Sequence, residues 1–141
     1  MIPIRGLAHI NLNVRNIERS TSFYREMFGL ELLHDYEGPM GNHPWGRQVA
    51  LSTPGAADIL ALSQVPGEPI GPGGCNHFGF ILVTDDDLEQ AIADAERLGG
   101  RLVRRDSVEV DSLVERLAYI EDPDGYIFEL NAQRVLLARK R

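Results

Sequence analysis

The chain has 141 residues, 43% hydrophobic and 25% charged, with a formal net charge of -7; that suits one domain with a sizeable core, or two small modules sharing one, and argues against nucleic acid, which wants a clustered basic surface. Cys75 is the single cysteine, so no intrachain disulfide can form and a reducing compartment is expected. No apolar run approaches the roughly 20 residues that span a bilayer, and no signal peptide precedes the first element, so the expectation is a cytoplasmic protein without a membrane partner.

Leu7 to Val14 alternates apolar and polar side chains, the period of a strand with two unlike faces, and places His9, Asn11 and Asn13 together on one of them. Asn16 reads as the N-cap of a helix carrying Ile17, Ser20, Thr21, Tyr24 and Phe28 at helical spacing, with Gly29 as its stop. Leu30 to His34 reads as a second strand. The Gly- and Pro-rich stretch from Glu37 to Gly46, with His43 and Trp45, reads as a loop near a ligand opening. Gln48 to Ser52 and Asp58 to Gln64 read as two strands, and Pro66 to Gly74 as a linker.

The same order then returns. Gly6-Leu7-Ala8-His9 reappears 68 residues later as Gly74-Cys75-Asn76-His77, and Ile59-Leu60-Ala61-Leu62 as Ile127-Phe128-Glu129-Leu130. Phe78 to Val83 is a strand. Asp85-Asp86-Asp87 loads negative charge at a helix start, where the macrodipole favours it, and Asp87 with Gln90 resembles a capping box. Leu88, Ala91, Ile92, Ala95 and Leu98 form the buried stripe, and Gly99-Gly100 ends the helix. Strands follow at Arg101 to Arg105, Leu113 to Ile120 and Tyr126 to Asn131, the last two joined by the turn Asp122-Pro123-Asp124-Gly125. Cys75, two residues before His77, is expected to be a half-buried bystander, and 133–139 to form a short helix ahead of a solvated basic end.

The fold expected is α+β: two tandem βαβββ modules supplying eight strands to an incompletely closed, barrel-like sheet around a cavity. All 141 residues fall in one domain, with module one at 5–65, a linker at 66–73, module two at 74–132 and a tail at 133–141.

On this reading His9, His77 and Glu129 point into the cavity. Two imidazoles and a carboxylate can hold a divalent transition metal and leave positions open for water or substrate. A lone strand histidine is more often structural. Glu129, however, interrupts the apolar strand Tyr126-Ile127-Phe128-Glu129-Leu130, where a carboxylate is costly unless its charge is compensated. His34 and His43 read as solvated histidines, and Arg47 as a surface residue that could otherwise neutralise an anionic substrate.

The opening Leu-Ala-His-Ile-Asn-Leu-Asn-Val, the helix ending Phe23-Tyr24-Arg25-Glu26-Met27-Phe28-Gly29-Leu30, and Asp122-Pro123-Asp124-Gly125 running into Phe128-Glu129-Leu130 resemble the vicinal oxygen chelate superfamily. That family includes glyoxalase I, bleomycin-resistance proteins, fosfomycin-modifying transferases and extradiol dioxygenases. The resemblance implies a metal-dependent enzyme that chelates a small oxygen-bearing substrate on Fe, Mn, Ni, Co or Zn held by His9, His77 and Glu129. It also implies a homodimer. The alternative it implies is a metal-free small-molecule binder like the bleomycin-resistance proteins. Tyr119, ten residues before Glu129, matches a substrate-facing tyrosine of the ring-cleaving and fosfomycin enzymes and would donate a proton or hydrogen bond to a substrate oxyanion. Asn11, Leu51 and Ala61 are taken as substrate-binding residues, Leu51 as the repeat counterpart of Tyr119 at the 68-residue offset. Ala61 stands where glyoxalase I resembles this pattern but has a fourth, carboxylate ligand. Alanine can neither ligate a metal nor move a proton, so classical glyoxalase I chemistry is disfavoured.

Overall fold

The computed structural model describes residues 1–110 and 113–133. The basic end and most of the short helix expected at 133–139 lie outside these residues. The chain divides into two compact units, Met1–Gly71 and Pro72–Arg141, with the boundary inside the stretch expected to be a linker.

In the first unit β1 (Ile10–Asn13) is followed by α1 (Ile17–Phe28), β2 (Glu31–Met40), β3 (His43–Ser52) and β4 (Leu60–Gln64). The sheet order is β1-β4-β3-β2, with β1 parallel to β4 and the other pairs antiparallel. Both ends of α1 follow the residues expected. Asn16 Oδ1 accepts from the Arg19 amide at 2.9 Å, and Gly29 closes the helix at φ 63°, a left-handed conformation that glycine adopts without strain. The Gln64 side chain at the end of β4 accepts from the Ile17 amide at 2.8 Å, satisfying a second donor of the first turn.

The alternation of β1 and β4 fixes which face α1 covers. Leu12, Val14, Leu62, Val49 and Leu51 turn towards the helix and are buried with Ile17, Phe23 and Tyr24. Each such side chain contributes on the order of 1.5–3 kcal/mol by leaving water. The other face is polar: Asn11, Asn13, Ser63 and Gln48 lie there.

The second unit repeats the plan with β5 (Phe78–Ile81), α2 (Leu88–Arg97), β6 (Arg101–Val110), β7 (Leu113–Glu121) and β8 (Ile127–Gln133). Its sheet order is β5-β8-β7-β6, again with the first strand parallel to the last. Phe128, Leu130, Ala132, Ala118 and Ile120 are buried on the face towards α2, against Leu88, Ile92 and Ala95. The Asp122–Gly125 turn is tied down by its own first residue, whose carboxylate accepts from the amides of Asp124 at 2.8 Å and Tyr126 at 3.0 Å. The eight expected strands are thus present as two four-stranded mixed sheets, each backed by one helix.

Three local expectations are corrected. The stretch from Glu37 to Gly46 is no loop: β2 and β3 run through it as a hairpin that turns at Gly41-Asn42, with Met40 paired to His43. Gly41 sits at φ 53° and supplies the positive dihedral of a tight two-residue turn, and Pro39 is tolerated because β2 is an edge strand. Asp87 forms no capping box. A short 3₁₀ turn at Asp85–Asp87 precedes α2, and Asp87 itself is already helical (φ -77°, ψ -10°) with no side-chain cap bond. Cys75 is exposed rather than half-buried, because it precedes β5 in the connecting segment.

Candidate metal centre and substrate face

In the second unit the face away from α2 carries a transverse row that crosses all four strands. Gly79 on β5 pairs with Glu129 on β8, Glu129 with Tyr119 on β7, and Tyr119 with Arg104 on β6. His77, two residues before Gly79, brings its Nε2 to 3.5 Å from Glu129 Oε2. The glycine leaves room for the Glu129 side chain. A Cβ at position 79 would lie 3.3 Å from the Glu129 Cβ, so the Glu129 side chain would have to shift by a few tenths of an ångström.

Neighbours orient both groups. His77 Nδ1 lies 2.6 Å from Asn76 Oδ1. An amide oxygen only accepts, so Nδ1 is the donor in this contact and Nε2 is the ring nitrogen turned towards Glu129. Asn131 Nδ2 donates to Glu129 Oε1 at 2.8 Å and leaves Oε2 for the histidine side. Glu129 is largely covered, its side chain 16% exposed. His77 Nε2 and Glu129 Oε2 thus face each other across 3.5 Å, close enough for both to serve one cation. An imidazole nitrogen and a carboxylate oxygen so placed are a donor set that fits a divalent transition metal. Among the described residues no further His, Cys, Asp or Glu completes a metal group beside this pair within the second unit.

Tyr119 stands beside the pair. Its ring meets the His77 ring edge-on, with centroids 5.2 Å apart, and the Arg104 guanidinium carbon lies 5.0 Å from its centroid on β6.

His9 belongs to the first unit, where it is exposed immediately before β1. Asn11 and Asn13, on the polar face of β1, help to line a cavity of about 340 Å³ with Met40, His43, Ser63 and Glu68. Ser63 donates to Asn11 Oδ1 at 2.8 Å, and Asn13 donates to the Pro69 carbonyl at 3.2 Å. His43 Nε2 is hydrogen-bonded to Glu68 Oε1 rather than merely solvated, and His34 stacks on Tyr36 with ring centroids 5.9 Å apart. Arg47 is committed within the protein to Asp35, Glu18 and Glu37. Hydrogen bonds to Asp35 and Glu18 raise its already high pKa, so it stays charged and engaged.

Of the three residues expected to bind substrate, Asn11 and Ala61 pair directly on neighbouring strands and face the same way. Leu51 does not. It pairs with Leu60 and is wholly buried against the helix, out of phase with the Asn11–Ala61 face. The counterpart of Tyr119 is Ala50, which pairs with Ala61 as Tyr119 pairs with Glu129. The repeat offset at this point is therefore 69 and not 68, and a slip of one residue turns a strand side chain to the opposite face.

Residues 6–130 match the model of the Glyoxalase/Bleomycin resistance protein/Dioxygenase superfamily. The chain belongs to that superfamily. Among superfamily relatives, a lactoylglutathione lyase of Neisseria meningitidis serogroup A is 31% identical over 128 residues, 87% of each chain. A trivalent organoarsenical cleaving enzyme of a Bacillus species is also 31% identical, across 86% of this chain and 70% of its own length. The fold is shared with the fosfomycin resistance protein FosX of Listeria monocytogenes, at a TM-score of 0.73 and 21% identity over 94% of this chain and 97% of that one. A second structure of that protein, complexed with Mn(II) and a sulfate ion, gives a TM-score of 0.69 at 20% identity over 97% of this chain and 98% of that one.

Proposed function

We propose that this chain is a metalloenzyme of its superfamily, binding one divalent transition metal through His77 and Glu129 with His9 as the third ligand, and chelating a small substrate through its oxygens. One observation supports this above the others. His77 Nε2 and Glu129 Oε2 face each other at 3.5 Å, each side chain held by an asparagine, with no side chain on Gly79 beside them. The metal would act as a Lewis acid, stabilising negative charge that develops on substrate oxygen.

The chain's own groups supply the rest. Asn76 holds the His77 tautomer that can ligate, and Asn131 holds Glu129 in the orientation that can ligate. Tyr119, packed against His77, carries a hydroxyl that can donate a proton or hydrogen bond to the substrate. Asn11, whose oxygen is taken by Ser63, keeps its amide N–H groups for a substrate acceptor. Lactoylglutathione lyases are among the relatives, but Ala61 is a methyl group buried where a further carboxylate ligand would be needed, and this favours chemistry other than classical glyoxalase I.

Metal analysis of the purified chain tests the reading. Stoichiometric metal is expected in the wild type, with loss in His77→Ala, Glu129→Gln and His9→Ala. Activity against catechols, 2-oxoaldehydes and thiol acceptors would then identify the reaction. A wild-type protein that takes up no divalent metal refutes the proposal and favours a metal-free small-molecule binder. It would also reassign the His77–Glu129 contact to an imidazolium–carboxylate pair.

A further inference from the structure

We infer that Arg104 is the specificity residue of this face and recognises an anionic group, carboxylate or phosphate-like, at the end of the substrate remote from the metal. The inference rests on the metal site proposed above. Four observations carry it.

The first is a break in strand phase. On β6, Leu102 pairs with Ile120 on the helix side, and without interruption Val103 would pair with Tyr119. A β-bulge between Leu102 and Arg104 inserts one extra residue, so Arg104 takes that place and its side chain moves to the Tyr119 and Glu129 face. Bulges commonly re-aim a side chain in this way beside functional sites.

The second is the row itself. Arg104, Tyr119, Glu129 and Gly79 are consecutive cross-strand partners, so Arg104 is two strands away from the ligating carboxylate and on the same side of the sheet. The third is the position of the guanidinium. It lies over the Tyr119 ring, which in turn meets the His77 ring, so the charge is held at the far side of the tyrosine from the metal ligands. A ring beneath a guanidinium fixes its plane and leaves its edge for hydrogen bonding. A small substrate held by its oxygens at His77 and Glu129 and passing Tyr119 would bring its other end to that edge.

The fourth is what Arg104 leaves open. Among the described residues its one ion pair is the contact from Nη2 to Asp106 Oδ2 at 3.2 Å, and the side chain remains 64% exposed. That contact uses one of five N–H donors, and the planar fork matches a carboxylate or phosphate with two parallel bonds. Arg47 of the first unit, by contrast, is already shared among three carboxylates. An arginine–aspartate pair on an edge strand also discourages edge-to-edge association. That role predicts no ligand preference, so the two can be separated.

The test compares two probes with the same metal-chelating α-hydroxycarboxylate end: 2-hydroxyglutarate, with a distal carboxylate, and 2-hydroxypentanoate, with a methyl group in its place. Binding to the metal-loaded full chain is measured by calorimetry. The wild type is expected to prefer the dicarboxylate by roughly tenfold, the value of one charge-assisted, two-point contact at a partly exposed site. Arg104→Gln should bring that preference close to unity while metal content and 2-hydroxypentanoate affinity stay unchanged. Arg104→Lys should keep part of it. Asp106→Asn, which removes the competing carboxylate, should increase it. A metal-loaded wild type without the preference, or an Arg104→Gln protein that keeps it, overturns the assignment of Arg104 and leaves the metal site standing. A wild type that takes up no metal overturns both.

Discussion

His77 depends on the residue before it. Asn76 Oδ1, 2.6 Å from Nδ1, holds the proton on the outer nitrogen, and Asn131 performs the matching service for Glu129. Outer partners of this kind typically alter metal affinity by 10–100-fold when removed. On the metal site proposed above, Asn76→Ala should weaken metal binding by about tenfold while far-UV circular dichroism stays that of the wild type. Gly79→Val is expected to be more severe: its Cβ would lie 3.3 Å from that of Glu129, and metal titration should show affinity lost with the fold retained. That His77 and Glu129 come together, 3.5 Å apart, was legible in the sequence, one from its register in the repeat and the other as a charge in an apolar strand. The residues that tune them were not. Asn131 shares the face of Glu129 at a spacing of two, which alternation alone could have flagged. Gly79 reads as a weak strand residue until its cross-strand partner is known.

Among the elements, the helix caps could be read from single residues because Asn16 and Gly29 act locally, through an Asx oxygen and a positive φ. The β2–β3 hairpin could not, because Gly and Pro in 37–46 carry the same composition whether they make a loop or the turn and edge of a hairpin. The β3–β4 connection adds a pH prediction. Asp58 is partly desolvated, which raises its pKa, but hydrogen bonds from the Thr53 side chain and backbone and from Ser52 outweigh that and hold it below the usual aspartate value. A carboxylate depressed in the folded state stabilises the protein fully above its unfolded pKa of about 3.9 and loses that contribution as pH falls through the lower folded value. Thermal melts in this acid range should show a fall in midpoint that is smaller in Asp58→Asn.

Across the whole molecule, one plan is used twice and its two faces have separate tasks. The helix-covered faces hold the cores, and the opposite faces hold the polar chemistry. Leu51→Ala should lower stability by 2–5 kcal/mol, as truncation of a buried leucine does, and leave the metal content of the folded protein unchanged. Glu129→Gln should have the reverse effect, losing metal while the metal-free variant melts no lower than metal-free wild type, since a largely covered charge is removed. Comparing denaturation curves with metal stoichiometry checks both. The duplication was legible because His9 and His77, and Ala61 and Glu129, keep one offset. The misassignment of Leu51 arose where that offset drifts to 69 between Ala50 and Tyr119, a change that only paired strands reveal.

The parallel ladders that complete each sheet have a kinetic corollary. β2–β3, β3–β4, β6–β7 and β7–β8 join strands that follow one another along the chain, whereas Ile10 must find Leu60 and Phe78 must find Phe128. Loop-closure entropy delays such distant encounters, so the meanders should zip early and β1 and β5 should dock late. The segments led by His9 and His77 are thus the last to be stitched in. On a nascent chain, the second imidazole has to wait until the segment bearing Glu129 has been synthesised.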